Sequence, residues 1–281
     1  MKAFLGMGLL GSNFVKAMLK KGEQVHVWNR TVSKAKELEL FGAIVFDNAA
    51  EAVKGADRIH LTLKDDASVD EVLQAASAGF KPGAIIIDHT TTSKEGAIQR
   101  TKEWKEKGFV YQHAPVFMGP INALESSGFM MLSGDADVIS KMQPELSLMT
   151  GKLLQFGDEV GKAAAIKLAG NAFLVCFTAG IRDTLALSKS LNLSVEDLSA
   201  LFNEWNPGSM LHGRLKRMTS GDYSQPSWEL NMARKDTGLF IKAAEGKTDL
   251  AIIPSIAELM DEWIEKGYGN NDWTVIAKDV I

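Results

Sequence analysis

The chain has a single cysteine, Cys176, among its 281 residues. An intrachain disulfide is therefore excluded, which is typical of proteins from a reducing compartment. Histidine is also sparse, and no pair shows the spacing of metal ligands. The five histidines are His26, His60, His89, His113 and His212. We expect a cytoplasmic protein without a metal centre.

Long apolar runs and basic stripes are missing as well. No uninterrupted apolar run reaches the roughly 18 residues that a membrane-spanning helix needs. The first residues, MKAFLGMG, form a strand and a glycine loop, which leaves no room for a signal peptide. The net charge of −4 comes without a basic tail. The sequence thus predicts a protein that binds neither membranes nor nucleic acid.

The first 155 or so residues alternate between strand-like and helix-like segments. Buried-type strands such as 24–28 (QVHVW) and 84–88 (AIIID) are separated by helical patterns such as 93–107. This alternation predicts a doubly wound parallel sheet with helices on both faces. Strand patterns stop at about Phe156. We predict an α/β domain over 1–158 and an all-α domain over 159–281, which begins with a long interdomain helix at 159–188.

The segment GMGLLG follows the first strand and opens the first helix, which is the context that gives a G-x-G-x-x-G pattern its meaning. Gly6 permits a tight turn, Gly8 lets the backbone approach a pyrophosphate, and Gly11 allows close packing of helix and strand. The helix N-terminus supplies free N–H groups to the phosphates. The pattern predicts a Rossmann dinucleotide site. The predicted cofactor contacts in this loop are Gly6, Met7, Gly8, Leu9, Leu10 and Gly11.

The end of the second strand distinguishes NADP from NAD. NAD sites usually carry Asp or Glu there for the ribose 2′-hydroxyl, whereas this chain has Asn29, Arg30 and Thr31. Arg30 can pair with a 2′-phosphate, and Thr31 and Lys34 can add donors. The sequence therefore predicts NADP rather than NAD.

Two later loops lie at carboxyl ends of strands, where ligands bind in such sheets. One contains Leu63 and Lys64, and the other runs from Asp88 through Thr91 to Thr92. The threonines of the second loop offer hydroxyl and N–H groups to a nicotinamide or a substrate. They would equally serve as a helix cap before Ser93, so the sequence leaves both interpretations open.

Lys167 stands in a segment, GKAAAIKLAGN, that is apolar on nearly every face of a helix. Burial lowers the pKa of a lysine, which suits a proton donor near neutral pH. Asn171, one turn later, would orient the lysine or a substrate oxygen. The alternative is a lysine that extends to solvent from a mostly buried helix. The helix alone does not decide between the two.

Taken in order, the motifs resemble the β-hydroxyacid dehydrogenase family over essentially the whole chain. They are GMGLLG, NRT (29–31), DHTT (88–91), APV (114–116), the lysine-to-asparagine run at 161–171, KD (235–236), PGSM (207–210) and GYGNNDWTVI (267–276). Family members include 3-hydroxyisobutyrate dehydrogenase and glyoxylate/succinic semialdehyde reductases.

The resemblance implies an N-terminal Rossmann domain and a C-terminal domain like that of 6-phosphogluconate dehydrogenase. It implies that Lys167 is the catalytic acid and Asn171 its polar partner, with Thr91 near the nicotinamide. Lys235 would close over cofactor and substrate, with Asp236 fixing it. The implied reaction is NADPH-dependent reduction of a small carbonyl acid or semialdehyde, and the implied assembly is a homodimer or homotetramer.

The chain departs from the family after APV, where Ser-Gly-Gly usually holds the substrate carboxylate. Here the chain reads Phe117, Met118, Gly119 and Pro120, and Asn122 replaces a usual glycine. The Gly119 amide and the Asn122 side chain are the donors that could still contact a carboxylate. Otherwise the substrate is less acidic and more apolar. Met130 and Met131 are predicted to lie in the core.

Two other functions are consistent with these motifs. Imine reductases share the fold and cofactor, and a site without the serine would accept a cyclic imine. They often have Asp or Tyr at the lysine position, so Lys167 favours carbonyl chemistry. The third reading is a non-catalytic NADP-binding sensor, against which the joint presence of Lys167, Asn171 and Lys235 argues.

Overall fold

A computed structural model describes residues 1–281. It consists of two compact units, Met1–Asn171 and Ala172–Ile281. The division falls inside one long helix, Lys162–Ser190, rather than before it. The predicted domain boundary at 158/159 remains a prediction, and each unit is described by itself below.

The first unit contains a six-stranded parallel sheet with the strand order β3-β2-β1-β4-β5-β6. The strands are β1 (Lys2–Leu5), β2 (Val25–Trp28), β3 (Ile44–Val45), β4 (Arg58–Leu61), β5 (Ile85–Asp88) and β6 (Val110–His113). The connecting helices are α1 (Leu9–Lys20), α2 (Val32–Lys36), α3 (Ala49–Val53), α4 (Asp66–Ala76) and α5 (Lys94–Glu106). The predicted doubly wound fold is confirmed, with its change of direction between β1 and β4.

The central strands β1, β4 and β5 are buried on both faces, as is typical of parallel sheets. Successive side chains point to opposite faces. Phe4 and Ile87 therefore belong to one core cluster, and Leu5 and Ile86 belong to the other. This double burial leaves only the ends of the strands for ligands.

A second sheet of three strands follows in the same unit. It consists of β7 (Val116–Phe117), β8 (Phe129–Leu132) and β9 (Lys152–Gln155), with β7 antiparallel and β9 parallel to β8. Two helices, α6 (Pro120–Glu125) and α7 (Ala136–Leu146), connect them. The two-residue β7 is too short for a periodicity signal, and the sequence predicted no strand at β7 or β9. Met130 and Met131 are buried, which confirms that they are core residues.

The second unit is helical, as predicted. Its helices are the C-terminal part of α8 (Lys162–Ser190), α9 (Val195–Glu204), α10 (Leu211–Met218), α11 (Leu230–Ala244) and α12 (Ile253–Trp263). Leu230, Met260 and Trp263 lie in its core. The buried Asp183 carboxylate accepts hydrogen bonds from the backbone N–H groups of residues 251–253 at the start of α12. This contact caps α12 and ties it to α8.

Helix α8 is long and apolar enough to cross a membrane, judged by length and composition alone, with a mean hydropathy of 1.6 over its most apolar window. The expectation that no segment has this character is therefore wrong for α8. Polar residues scattered along α8 interrupt its apolar sequence, but the mean hydropathy of its most apolar window remains high. The same character is found in core helices of soluble proteins.

Candidate active site

The glycine loop between β1 and α1 has the backbone geometry that its sequence predicts. Gly6 has a φ of +97°, and a Cβ there would lie 2.1 Å from the carbonyl oxygen of Thr62. A Cβ on Gly11 would lie 2.0 Å from the carbonyl oxygen of Gly6. Gly8 instead has no atom within 4 Å of a built Cβ. Gly6 and Gly11 thus serve close packing, and Gly8 leaves open space above the loop.

The N-terminus of α1 is free to bind an anion. Gly8 precedes the helix, no side chain caps it, and its first turn contains no acidic residue. The first N–H groups of a helix have no partner inside the helix, and the helix dipole is positive there. A pyrophosphate fits this open, uncapped end, so the chain's residues suit a dinucleotide.

Beside the loop lies a cleft with a volume of about 440 Å³. Most of the residues predicted to bind the adenosine end lie here together. Its predicted members are Gly6, Gly8, Asn29, Arg30, Thr31, Lys34, Leu63 and Lys64. Arg30 and Lys34 are exposed and pair with no carboxylate, and Thr31 makes no side-chain cap. These donors are available to a phosphate.

The Asn29 side chain, which was predicted to contact the cofactor, is hydrogen-bonded within the protein. Its Oδ1 accepts a hydrogen bond from the Met7 N–H at 2.9 Å, and its Nδ2 donates to the Thr31 carbonyl at 2.8 Å. The side chain therefore ties the glycine loop to the end of β2. Met7 itself is buried. Both residues shape the cleft rather than offering free polar groups to it.

Helix α4 provides one wall of this cleft, which the sequence did not predict. Its lining side chains are Ser68, Glu71, Val72 and Ala75. Their spacing of three, one and three residues places them on one face of a helix. The helical periodicity could have identified them once the end of β4 was assigned to the site. Trp28 and Thr62 also line the cleft, but no sequence pattern assigned them to the site.

An adjoining cleft of about 350 Å³ shares Gly8, Leu63 and Lys64 with the first. It brings together further residues that the sequence analysis assigned to the site, namely Leu9, Leu10, Thr91, Met118 and Lys167. Thr62, His89, Thr90 and Val116 complete its lining. Segments far apart in the sequence thus meet Lys167 at one edge of the sheet.

The three threonines after β5 differ in their hydrogen bonds. Thr90 Oγ1 accepts from the Leu63 N–H, and Thr92 Oγ1 contacts His113 Nε2. Ser93, rather than a threonine, caps α5 by accepting from the Gly96 N–H. Thr91 is exposed and makes no side-chain hydrogen bond within the protein. The helix-cap interpretation of Thr91 is therefore wrong, and its hydroxyl is free for a ligand.

A buried polar network supports this loop. Tyr111 Oη donates to Asp88 Oδ2 at 2.6 Å, and Arg100 Nε donates to Tyr111 Oη at 3.0 Å. The Thr90 N–H donates to the other Asp88 oxygen. Burial raises the pKa of Tyr111 well above its ordinary value, so the phenol remains a donor. Sequence reasoning missed Arg100 and Tyr111 because they lie outside the loop they support.

His89 lines the cleft but is no proton donor at neutral pH. Its Nδ1 lies 2.9 Å from the Ala114 carbonyl oxygen, and its Nε2 lies 3.1 Å from His60 Nδ1. Burial lowers the pKa of His89 to about 3. A neutral ring is consistent with this pairing, because Nδ1 then donates and Nε2 accepts. His89 therefore joins neighbouring strands.

Lys167 is only 8% exposed. Its Nζ donates a hydrogen bond to Asn171 Oδ1 at 2.9 Å, across one turn of α8. No carboxylate lies within ion-pair distance of it, and burial lowers its pKa from the ordinary lysine value. The side chain does not extend to solvent, so the alternative left open by the sequence does not describe this structure.

The segment after β7 uses its own polar groups. Asn122 Oδ1 accepts from the Gly119 N–H at 2.9 Å, and Asn122 Nδ2 donates to Ser127 Oγ at 3.0 Å. The donors that we expected to remain for a carboxylate are thus already engaged. The Phe117 ring centroid lies 3.9 Å from Lys167 Nζ.

Lys235 and Asp236 lie on α11 in the second unit. Lys235 Nζ pairs with Asp236 Oδ1 at 2.9 Å, and its side chain is 58% exposed. The pairing is the one expected from the KD motif. Their contact with a ligand remains a prediction.

No group of three or more histidine, cysteine or acidic side chains is arranged to hold a metal ion.

The chain is similar to several known proteins along nearly its full length. The family model for the NAD binding domain of 6-phosphogluconate dehydrogenase matches residues 2–157. An uncharacterized oxidoreductase, YfjR, of Bacillus subtilis is 28% identical over 287 residues, covering 98% of each chain. Glyoxylate/succinic semialdehyde reductase 2 of Arabidopsis thaliana is 26% identical over 272 residues, covering 96% of this chain and 75% of the relative.

Among solved structures, the imine reductase from Myxococcus stipitatus in complex with NADP+ matches with a TM-score of 0.90. It is 20% identical, and the match covers 100% of both chains. At this identity the likeness shows a shared fold.

Proposed function

Because this oxidoreductase belongs to the β-hydroxyacid dehydrogenase family, we propose that it uses NADPH to reduce a small carbonyl compound, with Lys167 as the proton donor. The observation that carries the proposal is the buried, carboxylate-free lysine beside the glycine loop. Lys167 lines the same cleft as Gly8 and Thr91.

When bound, the reduced nicotinamide supplies the hydride that the carbonyl carbon accepts. Lys167 Nζ would donate its proton to the carbonyl oxygen, which yields an alcohol. Asn171 Oδ1 holds Nζ at 2.9 Å and thereby fixes the direction of the remaining N–H bonds. The low exposure of Lys167 keeps bulk water from competing for that proton. Thr91 would offer its free hydroxyl at the mouth of the cleft.

NADP is proposed over NAD because the cleft offers cations where a 2′-phosphate would lie. Arg30 can form a bidentate, charge-assisted contact with a phosphate, and Lys34 adds a second positive charge. Glu71 is the carboxylate among the residues that line this cleft. It lies on α4 rather than at the end of β2, where NAD sites carry their acidic residue.

Imine reduction is the second candidate, because Phe117 beside Lys167 would tolerate an apolar cyclic amine product. The two reactions are separated by one set of assays. We expect the purified protein to oxidise NADPH faster than NADH with small aldehydes, and to leave cyclic imines unreduced. Preferential turnover of the imines would favour the second candidate. Tight NADPH binding without any turnover would favour a sensor.

We also propose that a second copy of this chain covers an apolar surface of the second unit, in a cytoplasmic homodimer or homotetramer. Phe173, Leu174, Val175 and Phe177 on α8 are each more than half exposed. Exposed apolar patches of this kind mark interaction sites or membrane contacts. The exposed Arg182 further along the same helix favours a protein partner.

Val175→Glu is expected to shift the protein from an oligomer to a monomer, because it places a charge in a desolvated interface. Sedimentation velocity would measure the mass, and the exposed Gln99→Glu on α5 is the control. A wild-type protein that sediments as a monomer would contradict the proposed assembly. Partition into detergent micelles instead would point to a membrane.

A further inference from the structure

We propose that Phe117 determines the substrate class: the carbonyl compound carries an apolar or aromatic group beside Lys167, and a carboxylate is excluded there. This inference rests on the proposed role of Lys167 as the proton donor. It goes beyond that role, because it specifies the chemistry of the part of the substrate that faces Phe117.

The Phe117 ring is held in place by its fit to α8. Its centroid lies 3.9 Å from Lys167 Nζ, which is a cation–π distance. On the same face of the helix, a Cβ on Gly170 would lie 2.4 Å from Phe117 Cζ. The ring therefore occupies the space that only a glycine at position 170 leaves. Its position follows from packing on both Lys167 and Gly170.

The side chains around Phe117 offer little to an anion. The Gly119 N–H and the Asn122 amide are hydrogen-bonded to each other, and Asn122 also donates to Ser127. Pro120 has no N–H, and the Met118 thioether cannot donate. A carboxylate placed against the Phe117 ring would lose hydration without gaining a donor from that side chain or from Met118, which is costly.

A carboxylate beside the Phe117 ring would also meet the Lys167 ammonium. One of its N–H bonds is directed to Asn171, and one side of the ammonium faces the Phe117 ring. A carboxylate on the same ammonium would stabilise its charged form. The proton would then be held by the ion pair rather than released to the carbonyl oxygen. An apolar substituent beside Phe117, against the cleft-lining Val116 and Met118, leaves Lys167 free to react.

The test compares two aldehydes that differ only at the far end, butanal and succinic semialdehyde. We expect the wild-type kcat/KM with NADPH to be at least about tenfold higher for butanal. Phe117→Ser opens space and adds a hydroxyl donor, so it should shift the ratio at least about tenfold toward succinic semialdehyde. Phe117→Leu, which is apolar and adds no donor, should keep the preference for butanal. Wild-type preference for the semialdehyde, unchanged by Phe117→Ser, would overturn the inference.

A binding measurement separates this inference from the proposed function. Butanamide and succinamate are unreactive analogues of the two aldehydes, and calorimetry measures their affinity for the NADPH-loaded protein. Tighter binding of butanamide by the wild type, reversed in Phe117→Ser, supports the inference even if neither aldehyde is reduced. Equal or opposite affinities would refute it even if Lys167 catalyses. Thermal unfolding and NADPH titration of each variant establish that it folds.

Discussion

Lys167→Met is expected to reduce the rate of carbonyl reduction by about 10²- to 10⁴-fold, the range that a positioned acid contributes. Methionine fills a similar volume but carries no proton. NADPH affinity should stay within a few-fold of the wild type, because the proposed phosphate-binding groups lie on the glycine loop and between Arg30 and Lys34. Stopped-flow measurement of the first turnover, together with NADPH titration by fluorescence, would check both statements.

The pH dependence of this reaction follows from the direction of the Lys167 pKa shift. Burial lowers its pKa in the folded protein, and the reduction needs the protonated form. The rate should therefore be highest below this pKa and fall as the pH rises through it. The fall should come at lower pH than for an ordinary lysine. In the oxidation direction the dependence should be reversed, because the neutral amine accepts the proton.

The same shift predicts that Lys167→Met is no less stable than the wild type at neutral pH. Between the folded and unfolded pKa values the unfolded chain binds more protons, so this lysine makes the folded state more stable as the pH rises. Removing it eliminates an unfavourable buried charge. Lys162→Met, at an exposed position on the same helix, is the control. Near-normal turnover of Lys167→Met would disprove the proposed mechanism.

Arg30→Ala combined with Lys34→Ala is expected to abolish the preference for NADPH. A hydrogen bond to a charged group contributes about 1.5–3 kcal/mol, so loss of the Arg30 contact alone should weaken NADPH binding roughly 10- to 100-fold. Loss of Lys34 adds to this. NADH affinity should change little, because NADH has no 2′-phosphate. Titration of both cofactors at two salt concentrations would measure the effect, which high salt should reduce.

Lys36→Ala is the matched control for the cofactor variant, since Lys36 is exposed on α2 and does not line the cleft. Its effect on NADPH binding should be within a factor of two or so, as for a distant exposed charge. If the double variant weakened NADH and NADPH binding equally, the cations would act on the shared pyrophosphate. The proposed basis of cofactor preference would then be wrong.

The sequence determined the class of fold and the elements that surround the site. Parallel strands buried on both faces have near-continuous apolar sequences, so β4 and β5 were recognisable without any contacts. The glycine loop was recognisable because Gly6 and Gly11 occupy places where a Cβ would collide with backbone oxygens. Short elements such as β7 and α6 carried too few residues for a periodic signal.

Local sequence patterns could not predict which polar groups are buried or hydrogen-bonded, because their partners are distant in the chain. The spacing of Lys167 and Asn171 allowed both a buried pair and a solvent-directed lysine. The fold selects the buried pair, because it packs α8 against Phe117. The Phe117 ring lies against Gly170 and over the Lys167 ammonium group. Likewise, Gly119 and Asn122 looked available as donors until the turn after β7 paired them with each other. The sequence by itself thus determined which residues bear the chemistry, and only the tertiary structure decided which of their polar groups remain free, since pairing and burial are set by neighbours that folding brings together.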